Sequence, residues 1–259
     1  MPIGIEGKRV VVTGGARGIG AAAVGTLVSE GARVVSFDVT DDAGMAVAQE
    51  ANAAGPGTAS FRHTDVSDRA EVEASLREAH TELGGLDAVL NIAGIERRAA
   101  LEDMSEAELD EMLDINLKGV FVMCQAAFPY LRDHGGSIVN FGSNAGLTPY
   151  PMGSHYSAAK AGVMALTRTA SYEWGSYGIR VNSVAPAIWT PMYDEFRQRM
   201  SPEELVQHEA AMKALIPLGG RLGDPKRDAA PVLVFLVSDA SRFITGQIIM
   251  VDGGAGQVR

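Results

Sequence analysis

The chain is short of cysteine, of basic residues and of long apolar runs. Its 259 residues contain one cysteine, Cys124, so no internal disulfide can form. A lone thiol fits a reducing compartment, and a cytoplasmic protein is expected. Cys124 lies in the apolar run G-V-F-V-M-C-Q-A-A-F, which marks it as a core residue rather than a reactive thiol. Lys and Arg number 22 against 32 Asp and Glu, a formal net charge of -10. Nucleic-acid binding needs clustered cations to neutralise phosphates, so that class is excluded, and anionic membrane surfaces are disfavoured. No apolar run reaches the roughly 18 residues of a membrane span. The opening M-P-I-G-I-E-G-K-R-V lacks the basic start and apolar stretch of a signal peptide. Linkers, repeats and low-complexity segments are also missing, and no metal site is expected.

What the chain does contain is alternation. Short Val/Ile-rich runs read as strands at 9–13, 33–38, 59–63, 87–91, 137–141, 180–184 and 247–252. Helical patterns separate them: 18–30, 41–53, 67–83, one or two helices within 105–133, 154–177, and a last helix at about 225–237. Ser67 is expected to cap the third of these. Strands alternating with helices predict a parallel sheet, and near-continuous apolar strands predict helices on both faces. The expected fold is therefore α/β: a single-domain, Rossmann-type, doubly wound sheet of seven parallel strands. One segment breaks the rhythm. Residues 191–216, rich in Met and charge, form a helical insertion that reads as a substrate lid, being longer than ordinary connections of about 2–6 residues.

Two local patterns carry chemistry. The first is T-G-G-A-R-G-I-G after the first strand, with glycines at 14, 18 and 20. Glycines there allow a tight turn and close approach to a pyrophosphate, with a helix N-terminus aimed at the anion. Asp38 ends the second strand, 18 residues after Gly20, near the spacing at which an acid binds an adenosine ribose. Its charge would repel a 2′-phosphate and favours NAD over NADP. Arg17 pulls the other way, with less weight. The second pattern is Y-S-A-A-K, Tyr156 to Lys160. Positions i and i+4 share a helix face. An ammonium beside a phenol is expected to lower the phenol from its reference of about 10, tuning it for proton transfer. Adjacent helix residues point apart, so His155 is expected at the pocket rim or the surface.

With these residues in view, the chain resembles the short-chain dehydrogenases/reductases over almost its whole length. The resemblance rests on T-G-G-A-R-G-I-G at 13–20, D-V at 65–66, N-I-A-G at 91–94, Asn116, Ser143, Tyr156 with Lys160, and P-A-I-W-T at 186–190. It implies that Tyr156 is the general acid/base and that Ser143 binds the substrate oxygen. Lys160 would hold the nicotinamide ribose and lower the Tyr156 pKa, and Asn116 would support a water-linked proton path to Lys160. Gly14, Arg17, Gly18, Ile19, Gly20 and Asp38 would hold the adenosine half of NAD. Asp65 and Val66 would contact adenine. Asn91, Ala93 and Gly94 would line the cofactor's middle, and Pro186, Ile188 and Thr190 its nicotinamide end. The sequence departs from the family's usual P-G at Pro186-Ala187, where an ordinary φ is expected. It also departs from N-N-A-G at Ile92, which is expected to pack in the core. The resemblance further implies a homotetramer or homodimer; the small residues of the helix at 158–167 and the apolar C-terminal strand suit contact surfaces.

The expected activity is hydride transfer between NAD and a secondary alcohol or ketone. Met152, Trp189, Met192, Tyr193 and Phe196 would line the pocket, which suits a bulky cyclic, aromatic, terpenoid or steroid-like substrate. Arg197 and Arg199 qualify that, because an inward arginine would call for an anionic group. The rival within enzymes is an NADP-dependent 3-oxoacyl-carrier-protein reductase, disfavoured by Asp38 and the acidic balance. A non-catalytic cofactor-binding regulator is the remote alternative, since a fold alone does not establish function.

Overall fold

The structure is a computed structural model that describes residues 4–256. Its strands are β1 (Arg9–Thr13), β2 (Arg33–Asp38), β3 (Thr58–His63), β4 (Ala88–Asn91), β5 (Gly136–Phe141), β6 (Ile179–Pro186) and β7 (Ile248–Val251). They form one parallel sheet in the order β3-β2-β1-β4-β5-β6-β7. Chain order reverses between β1 and β4, so the crevice beyond their carboxyl ends is the natural ligand site of the sheet.

Helices α1 (Gly18–Ser29), α2 (Asp41–Ala54), α3 (Arg69–Leu83), α4 (Glu106–Leu113), α5 (Gly119–Leu131), α6 (Ser154–Trp174), α7 (Pro191–Arg197), α8 (Pro202–Leu215) and α9 (Ala230–Val237) connect them. Side chains alternate across a strand, and β1 shows why its valine run is unbroken. Val10 and Val12 enter a core with Val24 and Leu27 of α1 and Leu233 of α9. Val11 enters the opposite core with Leu76 of α3, Met123 of α5 and Val163 of α6. Both faces are covered, so its three central positions are all apolar.

Ser67 does not cap α3. Asp68 does, its carboxylate accepting from the Ala70 and Glu71 amides at 2.8 and 3.1 Å, while the Ser67 hydroxyl donates to Asp65. The carboxylate is the stronger acceptor of the two adjacent candidates. The 105–133 stretch resolves into α4 and α5 joined without a loop by a π-helical turn, Asp114–Lys118. Ile92 packs against the core, and Ala187 has an ordinary φ, as expected.

A polar seam crosses the second core. The Asn91 amide donates to Asn140 Oδ1 at 2.8 Å, and the Asn140 amide donates to the Thr167 hydroxyl at 3.0 Å. Cys124 is buried beside them, and burial pushes its thiol up to about 12, the two asparagines pulling only weakly the other way. It is a core residue, not a nucleophile.

At the opposite edge of the sheet, Arg9 and Asp87 join the entrances of β1 and β4. The guanidinium donates to both Asp87 oxygens, at 2.8 and 2.7 Å, and the Arg9 amide donates at 2.8 Å. Burial works to raise the Asp87 carboxyl, but these bonds and the Arg9 charge outweigh it and hold the group below its usual range. A carboxylate depressed in the folded state stabilises above its unfolded value of about 3.9 and loses that contribution as pH falls through the folded value. Asp87→Asn should therefore cost about 1–2 kcal/mol in urea unfolding at pH 7, with wild type and variant converging as pH falls through the depressed folded value.

Candidate active site

The glycine loop packs too tightly for side chains at two of its positions. A Cβ on Gly14, at φ 70°, would lie 2.7 Å from Ala93 Cα. One on Gly20 would lie 1.9 Å from the Gly14 carbonyl oxygen. The loop is thereby held against the end of β4, where the Thr13 hydroxyl accepts from the Ile92 and Ala93 amides at 3.1 Å. Helix α1 starts at Gly18 with Arg17 extended and no side-chain cap. The first-turn amides, including those of Gly18, Ile19 and Gly20, have no partner inside the helix. That uncapped N-terminus fits a pyrophosphate. The Ile19 side chain is buried in the core, so only its amide is on offer.

Asp38 stands beside this loop. Its carboxylate accepts from the Ala16 amide at 3.0 Å and the Thr40 amide at 3.1 Å. A carboxylate has about four acceptor sites, so room remains for ribose hydroxyls. Arg17 turns away, its exposed guanidinium 3.5 Å from Glu195 of α7. Asp65 closes its own turn by accepting from the Ser67 amide and hydroxyl. Val66, Asn91 and Ala93 line one crevice with Thr13 and Gly119. The Asn91 amide is nevertheless committed to the core seam. Pro186 ends β6, and Ile188 is buried and bridges to Gly223. Thr190 caps α7 by accepting from the Tyr193 amide at 3.3 Å.

The four expected catalytic residues do converge. Lys160, 4% exposed, donates to the carbonyl of Phe141, the last residue of β5, at 2.9 Å. Its Nζ lies 5.6 Å from the Tyr156 ring centre. Ser143 follows β5; its hydroxyl accepts from the Ala145 amide at 3.2 Å and stands close enough to the Tyr156 phenol to favour its charged form. Asn116, fully buried in the π-helical turn, clamps the backbone of Ile95. Its amide donates to the Ile95 carbonyl at 2.9 Å, and its oxygen accepts from the Ile95 amide at 3.2 Å. A Cβ on Gly94 would lie 2.5 Å from Asn116 Oδ1 and 3.5 Å from Lys160 Nζ, so Gly94 is what lets the clamp and the lysine share one wall.

The expected lowering of the tyrosine is not what these side chains alone produce. Burial pushes the Tyr156 phenol up to about 12, the Glu96 charge adds to the rise, and the Ser143 hydroxyl opposes it. Burial also drives Lys160 down to about 8. The ammonium is turned to a carbonyl, and its own charge is penalised by desolvation, so it does little for a phenolate. His155 likewise departs from expectation. It is 2% exposed, with neither ring nitrogen hydrogen-bonded, because α4 packs over that face of α6.

The substrate side contains more polar groups than the sequence suggested. Trp189 and Tyr193 meet edge to face at 5.0 Å, and Tyr193 and Phe196 at 6.4 Å. The Tyr193 hydroxyl and His208 Nε2 of α8 are 2.8 Å apart. Arg197 stacks on Trp189 at 4.7 Å and is paired with Glu209, its Nε buried without a partner. Met192 lies half-buried in the same helix. Met152 adopts φ 67°, rare outside glycine, and its carbonyl accepts from the Ala99 amide at 2.9 Å. Three further residues stand at this wall: Glu96, Arg98 and Tyr150. The Tyr150 hydroxyl donates to Glu96, and the Tyr150 ring centre is 6.0 Å from that of Tyr156. They belong to loops without periodicity, so no sequence signal pointed to them.

An uncapped glycine turn, an acid at the end of β2 and a Ser–Tyr–Lys cluster at one sheet edge define a nucleotide-dependent oxidoreductase. The comparisons agree. The family described as Enoyl-(Acyl carrier protein) reductase matches residues 14–256. A 3-oxoacyl-[acyl-carrier-protein] reductase of Thermotoga maritima is 38% identical over 96% of this chain and 98% of its own. A Mycobacterium tuberculosis protein named (5R,7aS)-5-hydroxy-7a-methyl-1-oxo-2,3,5,6,7,7a-hexahydro-1H-indene-carboxyl-CoA reductase is 39% identical over 95% and 92%. The crystal structure of levodione reductase superposes with a TM-score of 0.91 at 32% identity, over 97% of this chain and 98% of that one. The chain belongs to the short-chain dehydrogenase/reductase family, oxidoreductases that use NAD(P) and act on CH–OH groups.

The buried lysine has a measurable consequence. A lysine whose folded value is depressed from 10.5 to about 8 binds fewer protons folded than unfolded, so it makes stability rise with pH between those values. The unfolding free energy of wild type should gain about 2–3 kcal/mol on that of Lys160→Met between pH 7 and pH 10, read from urea curves. Parallel pH profiles would show that the ammonium is not desolvated.

Proposed function

We propose that the protein is an NAD-linked oxidoreductase that interconverts a cyclic or aromatic secondary alcohol and its ketone. The observation that carries this is the placing of Tyr156 beside buried Lys160, its Nζ 5.6 Å from the phenol ring, with Ser143 next to them at the carboxyl edge of the sheet. Two hydroxyls converging there hold one carbonyl oxygen. When bound, the nicotinamide supplies or accepts the hydride. In reduction the Tyr156 O–H bond breaks and its proton goes to the substrate oxygen, and in oxidation the transfer reverses. A phenol raised toward 12 stays protonated at neutral pH, which suits the reductive direction.

The lysine holds a nicotinamide ribose with the two donors that Phe141 leaves free. Asn116 positions the 92–96 segment around the cofactor's middle. Residues 191–216 act as the lid, with Trp189, Met192, Tyr193 and Phe196 as its apolar face and Met152 opposite, closing to exclude water. NAD is favoured because Asp38 is held toward the glycine loop while Arg17 is paired with Glu195. The printed names of the indene and levodione reductases support a cyclic substrate. The Thermotoga maritima relative supports a second reading, a 3-oxoacyl-carrier-protein reductase. Association as a homotetramer or homodimer is part of the proposal, through the exposed small residues Ala158, Ala161 and Ala165 of α6.

Two experiments test the reading. Wild type should show kcat/KM for NAD at least about tenfold above NADP, since like charges forced together cost several kcal/mol, and Asp38→Ser should narrow the gap. Equal use of NADP, with acetoacetyl thioesters turned over faster than cyclic ketones, would favour the carrier-protein reading. Tyr156→Phe should lose about 100- to 10,000-fold in kcat while the NAD dissociation constant changes less than about threefold. A variant retaining a tenth of wild-type kcat would remove Tyr156 from the acid/base role.

A further inference from the structure

The wall facing Tyr156 is built around a carboxylate. Asn116 fixes Ile95 from both sides, which sets the position of Glu96 next to it. The Ala99–Met152 backbone bond joins the Glu96 loop to the loop before α6. The Tyr150 hydroxyl donates to Glu96 from that second loop. Arg98 is sandwiched between two rings, 5.1 Å from the Tyr150 centre and 4.6 Å from that of Phe196 on α7. Its Nε is 4.0 Å from the Glu96 carboxylate, too far for a hydrogen bond.

Glu96 therefore keeps acceptor sites that no protein donor fills among the described residues. An ionised carboxylate accepts about four hydrogen bonds, and Tyr150 is the one donor that reaches it among the described residues. Its side chain is 27% exposed, so it is neither fully solvated nor fully paired. It is tied to the reacting group through Tyr150, whose ring centre is 6.0 Å from that of Tyr156, and its charge raises the Tyr156 phenol. An entirely apolar substrate seated between Tyr156 and the lid would cover this carboxylate and leave it without donors, at real cost. A substrate hydroxyl would satisfy it. A cationic amine is disfavoured by Arg98 alongside, and an anion by Glu96 itself.

We infer that Glu96 is a specificity-determining residue that selects substrates carrying a second hydroxyl, away from the reacting carbon. The inference rests on the alcohol–ketone reading above and sharpens it: the substrate is an amphiphilic ring, with apolar faces toward Trp189 and Met152 and a hydroxyl on Glu96. Sites built to hydrogen-bond a hydroxyl reject the analogue that lacks it, because the buried acceptor is then left unpaired.

The test is equilibrium binding to the NAD-loaded protein, by calorimetry, of the cyclohexanediol isomers and of cyclohexanol. At least one diol should bind wild type about tenfold or more tightly than cyclohexanol, the range of a hydrogen bond to a charged group. Glu96→Gln keeps an acceptor for Tyr150 and should reduce that preference to below about threefold. Tyr150→Phe should keep it, because the carboxylate and not the tie to Tyr150 reads the hydroxyl. Equal affinity of all ligands for wild type, no diol binding, or loss of the preference in Tyr150→Phe as well as Glu96→Gln would overturn the inference. A diol preference in binding, without turnover of any alcohol, would instead sink the oxidoreductase reading.

Discussion

The site depends on the clamp that Asn116 places on Ile95. A single side-chain amide satisfies both backbone groups of one residue and ties the loop leaving β4 to the helix at Ile95. Asn116 can do this because the helix widens to a π-helical turn there instead of breaking. π-helical bulges frequently mark functional sites, and here the geometric reason is visible. Gly94 fits between the clamp and Lys160 because it has no Cβ, and Glu96 is carried to the pocket wall one residue beyond the clamp.

The second constraint is desolvation. Lys160 and Tyr156 share a helix face, but burial around them disfavours both charged forms. The chain by itself holds a neutral phenol and a lysine with a weakened hold on its proton. The phenol keeps its proton at neutral pH, and two of the lysine's three donors are left by its bond to Phe141. Proximity in sequence suggested one direction for the tyrosine, and burial produced the other.

Apolar and polar demands meet at the substrate wall. The aromatic groups of α7 are engaged with one another, with His208 and with arginines, so this face is a stacked assembly and not an open greasy slot. Arginine stems cover apolar surface while their planar heads stack, which lets charged residues build a pocket rim. The strained backbone at Met152 belongs to the same assembly, held by its bond to Ala99.

Strand positions, the parallel sheet and the glycine loop were legible in the sequence because each depends on local chemistry: unbroken valines for a strand covered on both faces, and glycines where Gly14 and Gly20 leave no room for a Cβ. The convergence of Asn116, Ser143, Tyr156 and Lys160 was legible through a family resemblance, since nothing in their spacing brings four separated segments together. Tertiary structure alone decided the rest. It chose Asp68 over Ser67 as a cap, buried His155 under α4, and reversed the expected shift of Tyr156. It also brought Glu96, Arg98 and Tyr150 to the pocket from two loops that carry no periodic signal. Hydrogen-bond partners, burial and charge proximity between such loops depend on distances across the chain, and a linear pattern holds no record of them.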